Sequence, residues 1–459
     1  MDTSYTLAQN IVKVKYEDLP PDVVDVTKKS ILDTIGVTLA ASTLGEPSVK
    51  QIIELVTDAG GRPESTIFGF GGKVPASMAA FANGSMTHQL DYDDTYEAGR
   101  SHPGAAVLPA ACAIAERIGS ISGKEFITAV ALGCDVNCRL SLPLKRSAFE
   151  YNWMHPAMFG KFGAVTTAGK LLGLDETQMV NAFGLVLHQA NVSMEGVYTH
   201  GSALRAMRDG FTGMAGVLSA QLAQNGIPGD RNSLDGKYGF YNICCGGDSD
   251  PAMVTADLGK RFDGVNVSFK KWPCCRCSHG FIEAALLIVK EHDIKPKDVA
   301  EITAIGGAVF QDIFTGDERA APSCSIDAKL SLPFILGVAV SRGNVILEDF
   351  TSSGLSNPVA VELARKVKYH VDQKFVRAEI EATVVEIKIR SGQKYSKQVP
   401  FVCGHPQNPI AREDLLAKFR DCARYSITPL SPERIDTIID TVDKLEQVKD
   451  ISQLIQLLA

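Results

Sequence analysis

Apolar residues recur at helical spacing through about the first 260 positions of the chain. The segment DVVDVTKKSILDTIGVTLAAS, from Asp22 to Ser42, sets the pattern. PASMAAFANGSMTHQL, PGAAVLPAACAIAERIG, KEFITAVALGCDVNCRL and ETQMVNAFGLVLHQA repeat it. FTGMAGVLSAQLAQNG closes with Gly226 just past its apolar face, where a helix stops readily. These segments are rich in Ala and Gly, which lets helix axes approach closely. Almost no alternating pattern interrupts them.

The character changes near residue 265. VNVSFKKW, EITAIGGAVF, EIEATVVEIKIRSG and YSKQVPFV alternate β-branched with polar residues and predict strands. GFIEAALLIVKEH and LEDFTSSG predict helices between them. From about Arg412 the helical pattern returns. The expected fold is mainly α with an inserted α+β domain. A large helical domain takes residues 1–266 and 401–459, and a smaller α+β domain takes 267–400.

Composition narrows the function classes. Apolar residues at 45% and charged residues at 22% exclude wholesale disorder. A net charge of −7 argues against nucleic acid and against an anionic membrane surface, since both want a basic face. An anionic small molecule would need a locally basic pocket. The eleven Cys residues are scattered or adjacent and form no disulfide framework. The N-terminus lacks a signal pattern, and no apolar run is long enough to span a membrane. A soluble, cytoplasmic protein is expected.

Four segments carry candidate chemistry. In HQLDYDDTYEAGRSHPGAAV, Asp91, Asp93 and Asp94 precede Thr95, and His102 stands directly before Pro103. Pro suits the first helical position, which places His102 at a helix N-terminus, where a substrate carboxylate is favoured and an imidazole can move its proton. In YNWMHPAMFGKFGAVTTAGKLLGL, His155-Pro156 repeats that arrangement. In SFKKWPCCRCSHGFIEAALLI, Lys270, Lys271 and Arg276 supply positive charge where the domain character changes. Cys274, Cys275, Cys277 and His279 invite a zinc reading, but the spacing of paired C-x₂-C ligands is missing, so buried thiols beside a cleft are expected instead. In GSALRAMRDGFTGMAG, Arg205 and Arg208 have the shape for bidentate carboxylate binding.

Taken in order, FGFGGKVPASMAAFANGSMTHQLDYDDT, KKWPCCRCSHGFIEAAL and SIDAKLSLPFILGVAV resemble the MmgE/PrpD family. That family includes 2-methylcitrate dehydratases, cis-aconitate decarboxylases and iminodisuccinate epimerases. The resemblance covers nearly the whole chain. It implies a helical domain formed by both chain ends, an inserted α+β lid, a homodimer, and no metal or organic cofactor. By the motifs of the decarboxylase branch it implies that Asp91 and Thr95 line the site. His102 matches the following His, with one extra residue intervening. His155 matches the later His, and Lys270 matches the first Lys of K-x-[FYW]-P. Two positions depart. Arg205 replaces a Lys five residues before Gly210, and Phe334 replaces the Tyr of S-x-x-Y.

The chemistry shared by such a family is a carbanion formed or quenched next to a carboxylate. The leading expectation is a hydro-lyase acting on a 2-methylcitrate-like polycarboxylate. Epimerisation and decarboxylation are the alternatives, and a non-enzymatic helical scaffold is the different class. His102 and His155 are the acid/base candidates, with Asp91 orienting one imidazole. Lys270, Lys271 and Arg205 would bind carboxylates, while Thr95 and Phe334 would contact substrate. His102→Ala and Lys270→Ala are each expected to abolish turnover in a folded protein.

Overall fold

The computed structural model describes residues 2–45, 47–146, 151–308, 311, 314–375 and 383–459. Its core is a bundle of the helices Ala76–Thr87, Pro103–Ile118, Gly123–Arg139, His155–Leu171 and Leu204–Gln224. The long helix Pro21–Leu44 packs beside them, and Thr3–Lys13 and Glu176–Leu187 flank them. The Ala and Gly content allows the close approach. A Cβ placed on Gly84 would stand 2.7 Å from the Asp209 carbonyl oxygen, and one on Gly210 would stand 2.1 Å from Ser85 Oγ. The helices Ala76–Thr87 and Leu204–Gln224 therefore meet backbone to backbone. Pro109 lies inside the Pro103 helix and cannot bond to the Ala105 carbonyl four residues back. Thr87 Oγ1 donates to that carbonyl at 3.1 Å and ties the two helices together.

Apolar burial falls into two main clusters. The first runs from Leu7 to Phe262 and takes in Leu347 and residues from Phe419 to Leu458. The second lies between Trp272 and Val402. The helix Arg412–Ala423 brings the chain end back against Pro21–Leu44, with a Cβ on Gly36 only 2.9 Å from the Phe419 ring. The second cluster is built on a four-stranded sheet. β1 (Ser65–Ile67) and β2 (Gly71–Val74) form a separate hairpin, whereas β3 (Val299–Gly306), β4 (Val367–Val371), β5 (Val384–Ile389) and β6 (Lys394–Gln398) make this sheet in the order β4-β3-β5-β6. β3 and β4 are parallel, and the other pairs are antiparallel. The helices His279–Glu291 and Leu332–Arg342 pack in the same cluster.

Several expectations need correction. VNVSFKKW is not a strand; its one ladder contact is the isolated bridge Thr95–Ser268. EITAIGGAVF is a strand only as far as Gly306. EIEATVVEIKIRSG begins among residues outside those described, and its strand starts at Val384. LEDFTSSG forms two single turns rather than one helix. The β1–β2 hairpin and β4 escaped the reading of the pattern. All eleven Cys are free thiols. Among the described residues, no helix is long and apolar enough to cross a membrane.

Candidate active site

The acidic loop leaves the Ala76–Thr87 helix and turns at Asp91, whose φ of +49° is a left-handed conformation that Asp tolerates better than most residues. Thr95 and Ser268 exchange two backbone hydrogen bonds, of 2.9 and 2.7 Å, and lock this loop to the segment carrying Lys270. Lys270 Nζ donates to the Asp91 carbonyl at 2.8 Å and to Asp91 Oδ1 at 2.5 Å. Arg205 Nη2 takes the other oxygen, Oδ2, at 2.7 Å. Burial pushes the Asp91 carboxyl up, but the Arg205 and Lys270 cations overcome it and hold the group well below the usual carboxylate range. Lys418, from the returning chain end, clamps both segments by donating to the carbonyls of Tyr92 (2.7 Å) and Lys270 (3.0 Å).

Asp93 stands between two imidazoles, the buried His88 and the partly buried His102. Its Oδ1 lies 2.8 Å from His88 Nδ1, and its Oδ2 lies 3.0 Å from His102 Nδ1. His102 Nδ1 is also 2.8 Å from the Asp94 carbonyl oxygen. A carbonyl can only accept, so Nδ1 carries the proton and Nε2 is left as the basic nitrogen. Burial lowers the His102 pKa, with the Asp93 charge opposing it, so the ring is neutral at neutral pH. Asp94 itself caps the next helix by accepting from Gly104 N–H (3.0 Å) and from Ser30 Oγ (2.6 Å). Its carboxyl is pushed up to about 7, chiefly by burial. The Pro103 helix end is thus occupied by Asp94 and does not offer that N–H to a substrate carboxylate, as the sequence had suggested.

Asp91, Thr95, His102, His155 and Arg205 line one cleft. Arg100, Arg208 and Arg276 join them, so four guanidinium groups surround a single lining carboxylate. Both His-Pro helix starts therefore face the same cavity, whose walls also include Met154, Met194, Phe314 and Leu330. His155 sits between the rings of Tyr151 and Phe159, each 5.2 Å away. Burial, followed by the Arg100 charge, lowers its pKa to about 4, and its Nδ1 has no hydrogen-bond partner. Arg276 is committed to Glu97, with Nε 2.6 Å from Oε1. Cys275 and Cys277 also line the cleft, and a hydrogen bond from Cys277 lowers the Cys275 thiol.

Three expected site residues are placed differently. Lys270 is fully buried behind Asp91 and acts on the cleft through that carboxylate. Lys271 is not at the cleft. Its ammonium lies 3.9 Å from Asp414 near the surface. Phe334 is not there either; it is fully buried in the second apolar cluster, 6.3 Å from the Phe350 ring. The zinc-like set Cys274, Cys275, Cys277 and His279 does not assemble. Among the described residues, the one group with ligand atoms mutually within 4.8 Å is His88, Asp93 and His102. There Asp93 gives one oxygen to each imidazole at hydrogen-bond length, with the Lys270 ammonium 3.9 Å away, an arrangement that orients rings. His88, Arg100 and Lys418 were overlooked in the sequence. His88 had a local signal, a His five residues before Asp93 at the end of an Ala-rich helix.

The cleft, lined by four arginines and two imidazoles, is built between the helical bundle and the α+β unit. The sequence model of the MmgE/PrpD N-terminal domain matches residues 5–252, and that of the MmgE/PrpD C-terminal domain matches residues 272–444; the chain belongs to the MmgE/PrpD family. The interval between the two matches contains the change of pattern near residue 265. The cis-aconitate decarboxylase of Homo sapiens is 26% identical over 99% of this chain and 94% of its own length. The cis-aconitate decarboxylase of Aspergillus terreus is 27% identical over 96% of this chain and 93% of its own. The 2-methylcitrate dehydratase-like protein oryR of Aspergillus oryzae is 25% identical over 81% of this chain and 78% of its own.

Proposed function

We propose that this protein is a hydro-lyase for a small polycarboxylate of the 2-methylcitrate type, working through a carbanion next to a carboxylate and needing no cofactor. The observation that carries the reading is the pairing of two neutral imidazoles, His102 and His155, with four arginines around one cleft. His102 Nε2 takes the proton from carbon, and Asp93 steadies the imidazolium that results. The arginines offset the charge that develops on the enolate-like intermediate. The carbon–oxygen bond then breaks, and the imidazolium returns its proton to the departing hydroxide, so that water leaves. His155 hydrogen-bonds the departing oxygen from the opposite helix start. Asp91 is held ionised and orients Arg205 and Lys270. A homodimer belongs to the same reading.

Decarboxylation is the second reading, favoured by the names of the two relatives above that match nearly the whole chain. It needs a proton donor for the carbanion left by CO₂. Neutral imidazoles and an Arg at position 205 suit proton abstraction better than proton donation. Epimerisation would use the same base without a leaving group. Turnover of 2-methylcitrate and citrate, followed by the absorbance of the new alkene, tests the assignment. His102→Gln is expected to lose activity by about 100-fold or more. Undiminished alkene formation by that variant would contradict the role given to His102.

A further inference from the structure

Asp93 stands beside His102 with no exposed surface. A buried carboxylate keeps its charge and its direction only where donors hold it. Its Oδ2 lies 3.0 Å from His102 Nδ1, but that N–H is shared with the Asp94 carbonyl at 2.8 Å. The Lys270 ammonium is 3.9 Å from Oδ1 and is hydrogen-bonded to Asp91 instead. The undivided hydrogen bond on Asp93 is the one at Oδ1, where His88 Nδ1 stands at 2.8 Å.

His88 follows the helix Ala76–Thr87 as its C-terminal cap and is buried. A carboxylate oxygen can only accept, so His88 Nδ1 carries the proton and Nε2 is bare in the neutral ring. Burial, followed by the Arg208 charge, holds that ring neutral. Nε2 has no hydrogen-bond partner, and Asp91 Oδ1 is 3.8 Å away. The His88 and His102 rings also meet edge to face, with centroids 4.5 Å apart. His88 does not line the cleft, so it reaches the chemistry only through Asp93 and the ring contact.

We propose that His88 is the positioning residue of the base: its Nδ1–H holds Asp93 ionised and turned toward His102, so that the imidazolium meets a fixed counter-charge. This rests on the reading of His102 as the base and deepens it. When His102 Nε2 takes the proton from carbon, the new charge is shared with Nδ1–H, on the Asp93 side of the ring. The hydrogen bond from His88 also makes Asp93 less basic, so the proton stays on His102. A carboxylate free to turn, or to take up that proton, would not supply the counter-charge in place.

The test uses three variants of the full-length protein. His88→Phe keeps a ring against His102 and removes the donor. His88→Asn keeps an N–H near the place of Nδ1 and removes the ring. His88→Gln carries its N–H nearer the place of Nε2 and stays informative if the Phe variant does not fold. With 2-methylcitrate, His88→Phe and His88→Gln are expected to lose kcat by roughly 10- to 100-fold, the cost of misplacing a group by about 1 Å. KM is expected to stay within a few-fold of wild type, and His88→Asn to recover most of the loss. Crystal structures, which need no turnover, are expected to show Asp93 turned from His102 in His88→Phe and in place in His88→Asn. Wild-type kcat in His88→Phe or His88→Gln, a KM that moves as far as kcat, or a His88→Asn variant as slow as the other two overturns the inference. So does an Asp93 that keeps its place in the His88→Phe crystal. Absence of turnover by wild type on citrate, 2-methylcitrate and cis-aconitate would remove the reading of His102 as the base, while the crystal structures still decide whether His88 holds Asp93.

Discussion

Lys270 and Asp91 are 179 residues apart in the chain, yet the lysine ammonium lies 2.5 Å from the aspartate carboxylate with both side chains buried. The contact joins the acidic loop of the helical bundle to the segment that leads into the α+β unit. It also changes what Lys270 can do. A lysine with its ammonium on Asp91 is a counter-charge that fixes the loop, and it does not itself line the cleft.

Lys270→Ala is therefore a stability variant as well as an activity variant, in contrast to the expectation from sequence that the protein would simply stay folded. Removing one partner of a buried pair typically costs about 3–5 kcal/mol. Urea unfolding is expected to show a loss of that order. A midpoint unchanged from wild type would mean that the contact does not hold the loop.

Asp93→Asn keeps the size of the side chain and removes the charge between His88 and His102. The His102 imidazolium would lose its counter-ion, while the Asp94 carbonyl still holds the proton on Nδ1. The expected outcome is a fall in kcat of roughly 10²–10⁴-fold with the helical circular dichroism retained. A kcat within a few-fold of wild type would remove Asp93 from the mechanism.

The pH profile follows from the lowered His102 pKa and from His155 at about 4. Both rings act in the neutral form, and that form persists as the pH falls below the ordinary imidazole value of 6.5. The acid limb of kcat/KM is expected below that value. An acid limb at or above 6.5 would show that the base is not a buried neutral imidazole.

Asp94 gives a separate pH effect, on stability. Its carboxyl is at about 7 in the fold against an ordinary value of 3.8. The folded protein thus keeps a proton that the unfolded chain releases. The stabilisation is fully present below 3.8 and is lost as the pH rises through about 7. Asp94→Asn mimics the protonated form, so the variant should gain on wild type between pH 4 and pH 8, by on the order of 1–4 kcal/mol. Denaturant melts at the two pH values measure this, and parallel behaviour of the two proteins would contradict it.

Gly84→Ala probes the helix contact beneath Arg208. Its Cβ would meet the Asp209 carbonyl oxygen at 2.7 Å, which is backbone and cannot swing aside. A loss of about 1–3 kcal/mol in unfolding free energy is expected, together with weaker binding of polycarboxylates in calorimetry. Wild-type behaviour in both would mean that the contact relaxes freely.

The sequence revealed what depends on local pattern. The Ala/Gly helices, the change near residue 265 and the two His-Pro helix starts were all legible because each follows from periodicity or from the conformational limits of Pro. What depends on the direction of a side chain across distant segments was not. Lys270 and Lys271 are indistinguishable as letters; the backbone sends one to Asp91 and the other toward Asp414. Phe334 stands where the S-x-x-Y motif has Tyr, but its helix turns it into the second core. The orientation of His102 required knowing that the Asp94 carbonyl lies behind it. Lys418 reaches its partners only because the chain end returns to the bundle.

Proton NMR in D₂O tests the central claim most directly. The protein would be incubated separately with citrate, 2-methylcitrate, cis-aconitate and iminodisuccinate. The account predicts alkene signals from a hydroxylated tricarboxylate, with no loss of a carboxylate and with the activity absent in His102→Gln. Loss of a carboxylate from cis-aconitate, or exchange with inversion in iminodisuccinate without alkene from either citrate, would contradict it.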